Sequence, residues 1–279
     1  MNLRYMLSRI TRGQFVARVI IKLGGGLITD KTRYKEVFRE RIDAVSVVIS
    51  KIVDLGHSVI VIHGAGSFGH LEAKKWDISG GYNPAISEDQ YSAIETIRTD
   101  MDELNSIVLD SLVRAGVSCD SLPPRDWVNG VGTSFSGDVV AFERSPDLAV
   151  PVSFGDVVKI NDESRFGILS GDHLMVRIAT EMPDVLLCAF LLGDTAGLMS
   201  GPPEIDESKL IEEWSESRSF IGEQDKRIDV TGGIHLKVRC ASLISRSANQ
   251  VWFIDGREPS RLLDIISGDS VIGTRIVPG

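Results

Sequence analysis

The chain has 279 residues, 43% of them hydrophobic and 25% charged, enough to bury a full core as one large α/β domain or as two unequal lobes. A formal net charge of -9 excludes a general nucleic-acid or membrane-surface binder, since both need a basic face, but it permits a local basic pocket for a phosphorylated ligand. No apolar run reaches the roughly 18 residues of a membrane span, and the three scattered cysteines, Cys119, Cys188 and Cys240, make neither a disulfide framework nor a metal cluster, so a reducing cytoplasm is expected.

Residues 1 to 18 read as a solvated N-terminal extension. They hold Arg4, Arg9, Arg12 and Arg18, with no acid before Asp30 and no apolar signal-peptide core. The first strand, A-R-V-I-I-K, ends at Lys22 and runs into L-G-G-G-L-I-T-D-K. Gly24, Gly25 and Gly26 thus form a turn flanked by Lys22 and Lys31, and two cations beside a nest of free amides suit a polyphosphate. Residues 34 to 55 have helical apolar spacing (Val37, Ile42, Val45, Val48, Ile52) and stop at Gly56.

The next strand opens V-I-V-I-H-G-A-G-S-F-G-H, Val59 to His70, and breaks into a second glycine-rich turn. Such a turn brings backbone N–H groups to the carboxyl end of the strand, where an anion belongs. It spells G-x-G-x-x-G through Gly64, Gly66 and Gly69, but no second strand closing on an acid follows, so a dinucleotide-binding unit is disfavoured. Neither turn fits G-x-x-x-x-G-K-[ST], which excludes a P-loop. Strand, helix and strand in succession place both glycine turns at one carboxyl edge of a parallel sheet. Taken singly, each could be an ordinary strand-to-helix turn with surface lysines. His63, at the strand end, reads as structural.

After a loop at 77 to 86, residues 88 to 115 read as a long amphipathic helix whose apolar stripe (Ile94, Ile97, Met101, Leu104) faces a core, with a substrate-facing role for part of it as the alternative reading. A short strand (117 to 122), the Pro123-Pro124 break and a strand-like A-V-P-V-S-F (149 to 154) follow, and Gly155-Asp156 turns the chain. Ser170-Gly171-Asp172 precedes a helix, where the acid is either a plain N-cap or a group that steers lysines around a phosphate. Then come the buried strand V-L-L-C-A-F-L-L, the stretch G-D-T-A-G (193 to 197), and an exposed charged excursion with a short helix from Pro202 to Lys226. D-V-T-G-G-I-H-L-K (229 to 237) is a third glycine-plus-lysine turn leading into a helix. A strand (251 to 256), a short helix (260 to 266) and a strand (271 to 276) finish the chain. The alternation predicts a three-layer α/β/α sandwich with a mainly parallel open sheet.

With these pieces in order, the sequence resembles the amino-acid kinase superfamily, and within it the isopentenyl phosphate kinases, over residues 19 to 276. The resemblance rests on K-L-G-G-G-L-I-T-D-K (22 to 31), H-G-A-G-S-F-G-H (63 to 70), V-P-V-S-F-G-D-V (150 to 157), S-G-D (170 to 172), D-V-T-G-G-I-H-L-K (229 to 237) and I-G-T-R-I (272 to 276). It implies the amino-acid kinase fold with an acceptor-binding lobe (19 to 160) and an ATP-binding lobe (161 to 279). It also implies ATP as phosphoryl donor with Mg²⁺ on its phosphates, a small phosphate acceptor and a homodimer. By matching position, Lys22 and Lys237 grip phosphates on the two sides of the transfer, Lys31 stabilises the charge in flight and Asp172 holds the lysines. His70 binds the acceptor phosphate with the Ala65 and Gly155 amides beside it. Gly24, Gly25, Gly26, Gly66, Asp194 and Gly233 complete the ATP site, and no residue is assigned as a protein metal ligand.

The expected reaction is phosphorylation of isopentenyl phosphate to isopentenyl diphosphate. An acceptor that is already a phosphate carries an ionised oxygen near neutral pH, so placement and cations matter more than a general base. The chain departs from the family pattern at Gly26 (usually serine), Ala65 (often glycine), His173 (commonly an acid) and the G-D-T-A-G stretch. These departures keep two other readings open: a kinase of the same fold acting on another phosphate, phosphonate or carboxylate, and a nucleotide-binding regulator without catalysis.

Overall fold

The computed structural model describes residues 17–201, 208–217 and 233–279. Eight strands form one sheet in the order β3-β4-β2-β1-β7-β9-β10-β8. These are β1 (Arg18–Leu23), β2 (Ser58–His63), β3 (Cys119–Ser121), β4 (Val150–Phe154), β7 (Val185–Leu192), β8 (Glu213–Trp214), β9 (Gln250–Asp255) and β10 (Thr274–Ile276). All neighbouring pairs are parallel except β9 and β10. β5 (Asp156–Lys159) and β6 (Phe166–Leu169) form a separate antiparallel hairpin.

Buried strands of V, I and L with no polar alternation require cover on both faces, and the helices supply it. On β1, Val19, Ile21 and Leu23 point to a core shared with α2 (Arg39–Asp54), α4 (Ser87–Arg114) and α7 (Arg261–Ser267). Ile20 points the other way, to a core shared with α5 (Gly171–Glu181) and α6 (Ile234–Ile244). The result is the three-layer sandwich read from the sequence. Strand alternation therefore places Lys22 on the α5/α6 side and His63 on the α4 side.

Several boundaries differ from the expectation, each for a local reason. The helix expected from residue 34 begins at Arg39, because Asp30 N–H donates to Glu36 O at 2.9 Å and closes the preceding residues into a loop. The second glycine turn becomes the first turn of a helix, α3 (Gly66–Lys75), and the first winds into the single turn α1 (Gly25–Ile28). The final strand starts at Thr274, not 271. The β5/β6 hairpin leaves no period in the sequence, since one of its strands is interrupted by Gly167 and the pair is only four residues long on each side. The short helix expected between 202 and 226 falls largely outside the described residues; within 208–217 the chain forms β8.

Candidate active site

Three glycine turns meet backbone to backbone at the carboxyl ends of β1, β2 and β7. A Cβ at Gly25 would fall 2.5 Å from Gly66 N, one at Gly64 2.8 Å from Gly25 N, and one at Gly193 2.2 Å from Gly26 O. No side chain fits between them, which is why glycine recurs here. Gly66 also has a φ of +52°. Thr29, fully buried, links two of the turns: its Oγ1 accepts from Ser67 N–H at 3.0 Å and donates to Gly25 O at 2.8 Å.

These turns floor a cavity of about 760 Å³. Every residue proposed from the sequence lies on its wall: Lys22, Gly24, Gly25, Gly26, Lys31, Ala65, Gly66, His70, Gly155, Asp172, Asp194, Gly233 and Lys237. Two of the glycines offer less than expected. Gly24 N–H donates to Leu191 O at 3.0 Å and Gly155 N–H to His63 O at 3.2 Å, so both give a ligand close approach and not a free amide.

The charged centre is built across the sheet face. Lys22, on β1, lies 2.7 Å from Asp172 Oδ1, and Lys237, on α6, lies 3.4 Å from Asp172 Oδ2. Lys22 and Asp172 are 4% and 3% exposed, so neither is solvated and each depends on the other. Burial would raise the Asp172 carboxyl, but Lys22 and Lys237 outweigh it and hold it below the usual carboxylate range. Burial lowers the Lys22 ammonium against the opposing pull of Asp172. Of the two readings for Asp172, the N-cap falls to Ser170, which accepts from Asp172 N–H at 3.2 Å, and the Asp172 carboxylate lies against the lysines. Cys240 lies close to this centre, and burial pushes its thiol up to about 12, so it carries no thiolate there.

His70 is on α3, exposed and lining the cavity. Loss of surrounding water, followed by the charges of Lys237, Lys31 and Lys22, holds its imidazole below the ordinary value. His63, by contrast, is fully buried, with Nε2 3.2 Å from Asn105 Oδ1, Nδ1 3.1 Å from Gly64 O and its ring stacked on Phe154. It is structural. Next to His70 the wall turns apolar, with Ala73, Ile97, Met101, Val157, Ile168 and Leu169. The first residues of α3, α5 and α6 also line the cavity, so three helix N-termini add partial positive charge to the three lysines. Among the described residues no group of three or more His, Cys, Asp or Glu is placed to hold a metal ion, and no helix is long and apolar enough to cross a membrane.

The family model described as Amino acid kinase family matches residues 17–255. The chain belongs to the amino acid kinase family.

Within the family, it is similar to the isopentenyl phosphate kinase of Thermoplasma acidophilum, with 35% identity across 92% of this chain and 99% of the relative. It is 27% identical to that of Methanothermobacter thermautotrophicus, over 92% and 98% of the two chains. A solved product complex of the T. acidophilum isopentenyl phosphate kinase superposes with a TM-score of 0.76 at 30% identity, covering 94% of this chain and all of that one. As expected of an amino acid kinase, ATP is the phosphoryl donor.

Sequence reasoning missed three contributors to this amino acid kinase site. Thr29 carries no functional signal in L-I-T-D-K, because a threonine two residues before Lys31 gives no local sign of a partner at Ser67. The hairpin strand β6 brings Ile168 and Leu169 to the cavity from a stretch without a clear period. Gly193 was visible as a glycine after a strand, and its packing against Gly26 depends on β7 lying next to β1.

Proposed function

We propose that this protein transfers the γ-phosphoryl group of ATP to isopentenyl phosphate, forming isopentenyl diphosphate. The observation that carries this reading is the mixed lining of one cavity: lysines and glycine turns, His70, and a set of apolar side chains that includes Ala73, Ile97, Met101, Val157, Ile168 and Leu169. A molecule with a phosphate at one end and a short hydrocarbon at the other matches that lining.

In this reading residues 19 to 160 form the acceptor lobe and 161 to 279 the ATP lobe. His70 donates a hydrogen bond to the acceptor phosphate, with Ala65 N–H beside it, and the hydrocarbon lies against Ile97 and Met101. Lys22 and Lys237 hold phosphate oxygens on either side of the transferred group, Lys31 faces its equatorial oxygens, and Asp172 keeps Lys22 and Lys237 apart and oriented. Gly25, Gly26 and Gly66 let the phosphates approach the backbone, and Asp194 lies toward the nucleoside. Mg²⁺ enters on the ATP phosphates as part of the substrate and neutralises charge that builds during transfer. The acceptor oxygen is already ionised, so no side chain is assigned as general base. A cytoplasmic homodimer completes the proposal, and light scattering on the purified protein tests its second part.

ATP consumption with Mg²⁺ and isopentenyl phosphate, beside dimethylallyl phosphate and a no-acceptor control, tests the activity. Acceptor-dependent turnover with kcat/KM at or above about 10⁴ M⁻¹s⁻¹ supports it. ATP binding without transfer to any prenyl phosphate rejects it and points to another acceptor class, a reading that the departures at Gly26, Ala65 and His173 keep in view.

A further inference from the structure

The loop from Thr29 to Val37 carries Lys31 to the cavity and contains no helix, so its placement needs fixing from elsewhere. Its base is closed by the backbone, through the bridge of Thr29 with Val37 and the bond from Asp30 N–H to Glu36 O. Its tip is held by another element. The Tyr34 hydroxyl donates to Asp100 Oδ2 at 2.5 Å, and Lys35 Nζ lies 2.5 Å from Asp100 Oδ1 and 2.7 Å from Glu103 Oε2.

Three features show that this contact is built and not incidental. Asp100 is 3% exposed, and a carboxylate at that depth needs a partner on each oxygen, which the loop supplies. Lys35 has a φ of +57°, a left-handed conformation that a lysine keeps only where its surroundings impose it. Its ammonium also sits 5.8 Å from the ring centre of Phe68, two residues before His70. Glu103 is exposed and adds little, so the burden falls on Asp100.

Asp100 itself does not line the cavity, but it sits on α4 between Ile97 and Met101, which do. At the other end of the loop, Lys31 lies across Gly26, whose missing Cβ would fall 2.4 Å from Lys31 Cε. Among the described residues the Lys31 side chain has no hydrogen bond or ion pair of its own, so the loop backbone and packing over Gly26 decide where its charge sits.

We propose that Asp100 is a positioning residue for Lys31: by pinning Tyr34 and Lys35 it holds the loop in place and ties the lysine's position to the helix that walls the apolar end of the cavity. The role given to Lys31 rests on the phosphoryl-transfer reading above, whereas the pinning of the loop does not.

The test uses the full chain with Asp100→Asn, and with Lys35→Met as a second variant should the first not fold. Both are expected to lower kcat by about tenfold or more while KM for ATP stays within about twofold, because a misplaced charge costs the transition state and not the ground state. Lys35→Arg should restore most of the loss. In a Lys31→Ala background Asp100→Asn should have no further effect, a non-additivity that a merely structural role would not produce. Hydrogen exchange of peptides covering residues 29 to 37 should accelerate in Asp100→Asn. Equal fold losses with and without Lys31, or unchanged exchange, would overturn the proposal. If the unsubstituted protein transfers phosphate to no acceptor, the kinase reading fails instead, and the exchange measurement still decides whether Asp100 pins the loop.

Discussion

Thr29 Oγ1 accepts from Ser67 N–H at 3.0 Å, across 38 residues of sequence, while it donates to Gly25 O. One buried hydroxyl thereby sets the spacing between the turn assigned to ATP and the turn assigned to the acceptor. Thr29→Val keeps the shape and removes both bonds, leaving a buried N–H unpaired at roughly 1–3 kcal/mol. Loss of stability of that size by urea unfolding is expected, with kcat down about tenfold, and Thr29→Ser should behave like the parent. A valine variant with unchanged kcat would limit Thr29 to folding.

Asp172 answers two lysines, one of them buried, so Asp172→Asn strands the Lys22 charge. Removing one partner of such a pair costs roughly 3–5 kcal/mol. The variant should unfold at clearly lower urea and lose at least about a hundredfold in kcat. If stability falls while kcat holds, the carboxylate serves the fold alone.

Burial holds His63 down to about 4, from an ordinary 6.5. Between those values the unfolded chain takes up a proton that the folded chain refuses, so this residue's contribution is fully present above pH 6.5 and is lost as pH falls toward 4. At ~1.4 kcal/mol per pH unit the whole loss approaches about 3 kcal/mol. Urea midpoints of the parent should drop more between pH 7 and pH 4.5 than those of His63→Gln. Parallel drops would place the acid sensitivity elsewhere.

His70 is also held below its ordinary value, first by desolvation and then by Lys237, Lys31 and Lys22, which favours the neutral imidazole, a donor through its one ring N–H. The acid limb of kcat/KM should therefore follow the second ionisation of the acceptor phosphate, near ~6. His70→Asn, which keeps a donor, should retain that limb, whereas His70→Ala should raise the acceptor KM and cut turnover by more than about tenfold. An acid limb that vanishes in the asparagine variant would assign it to the imidazole.

The fold was legible because its signals are periodic and its punctuation strong. Buried aliphatic runs at 59 to 62 and 185 to 192, glycine turns after them and the 28-residue helix α4 leave little choice of architecture. The members of the site were legible as types: lysines and an acid beside glycine turns, and a histidine at a helix start. What the sequence could not show is who faces whom. Thr29 with Ser67, Gly193 with Gly26 and Asp100 with Lys35 are pairings made by tertiary packing, and none leaves a local period or motif. The availability of amides is likewise a tertiary matter, as Gly24 and Gly155 show, because neighbouring strand ends claim them.

The position of β1 in the sheet reaches beyond the site. It is the first strand among the described residues, yet one of its edges is met by β2 and the other by β7, which begins at Val185. During synthesis, then, a growing chain carries an aliphatic strand with one unpaired edge until most of its length has emerged. An unpaired aliphatic edge is a template for pairing with other chains, so slow decoding after residue 192 is expected to favour soluble yield more than slow decoding before it.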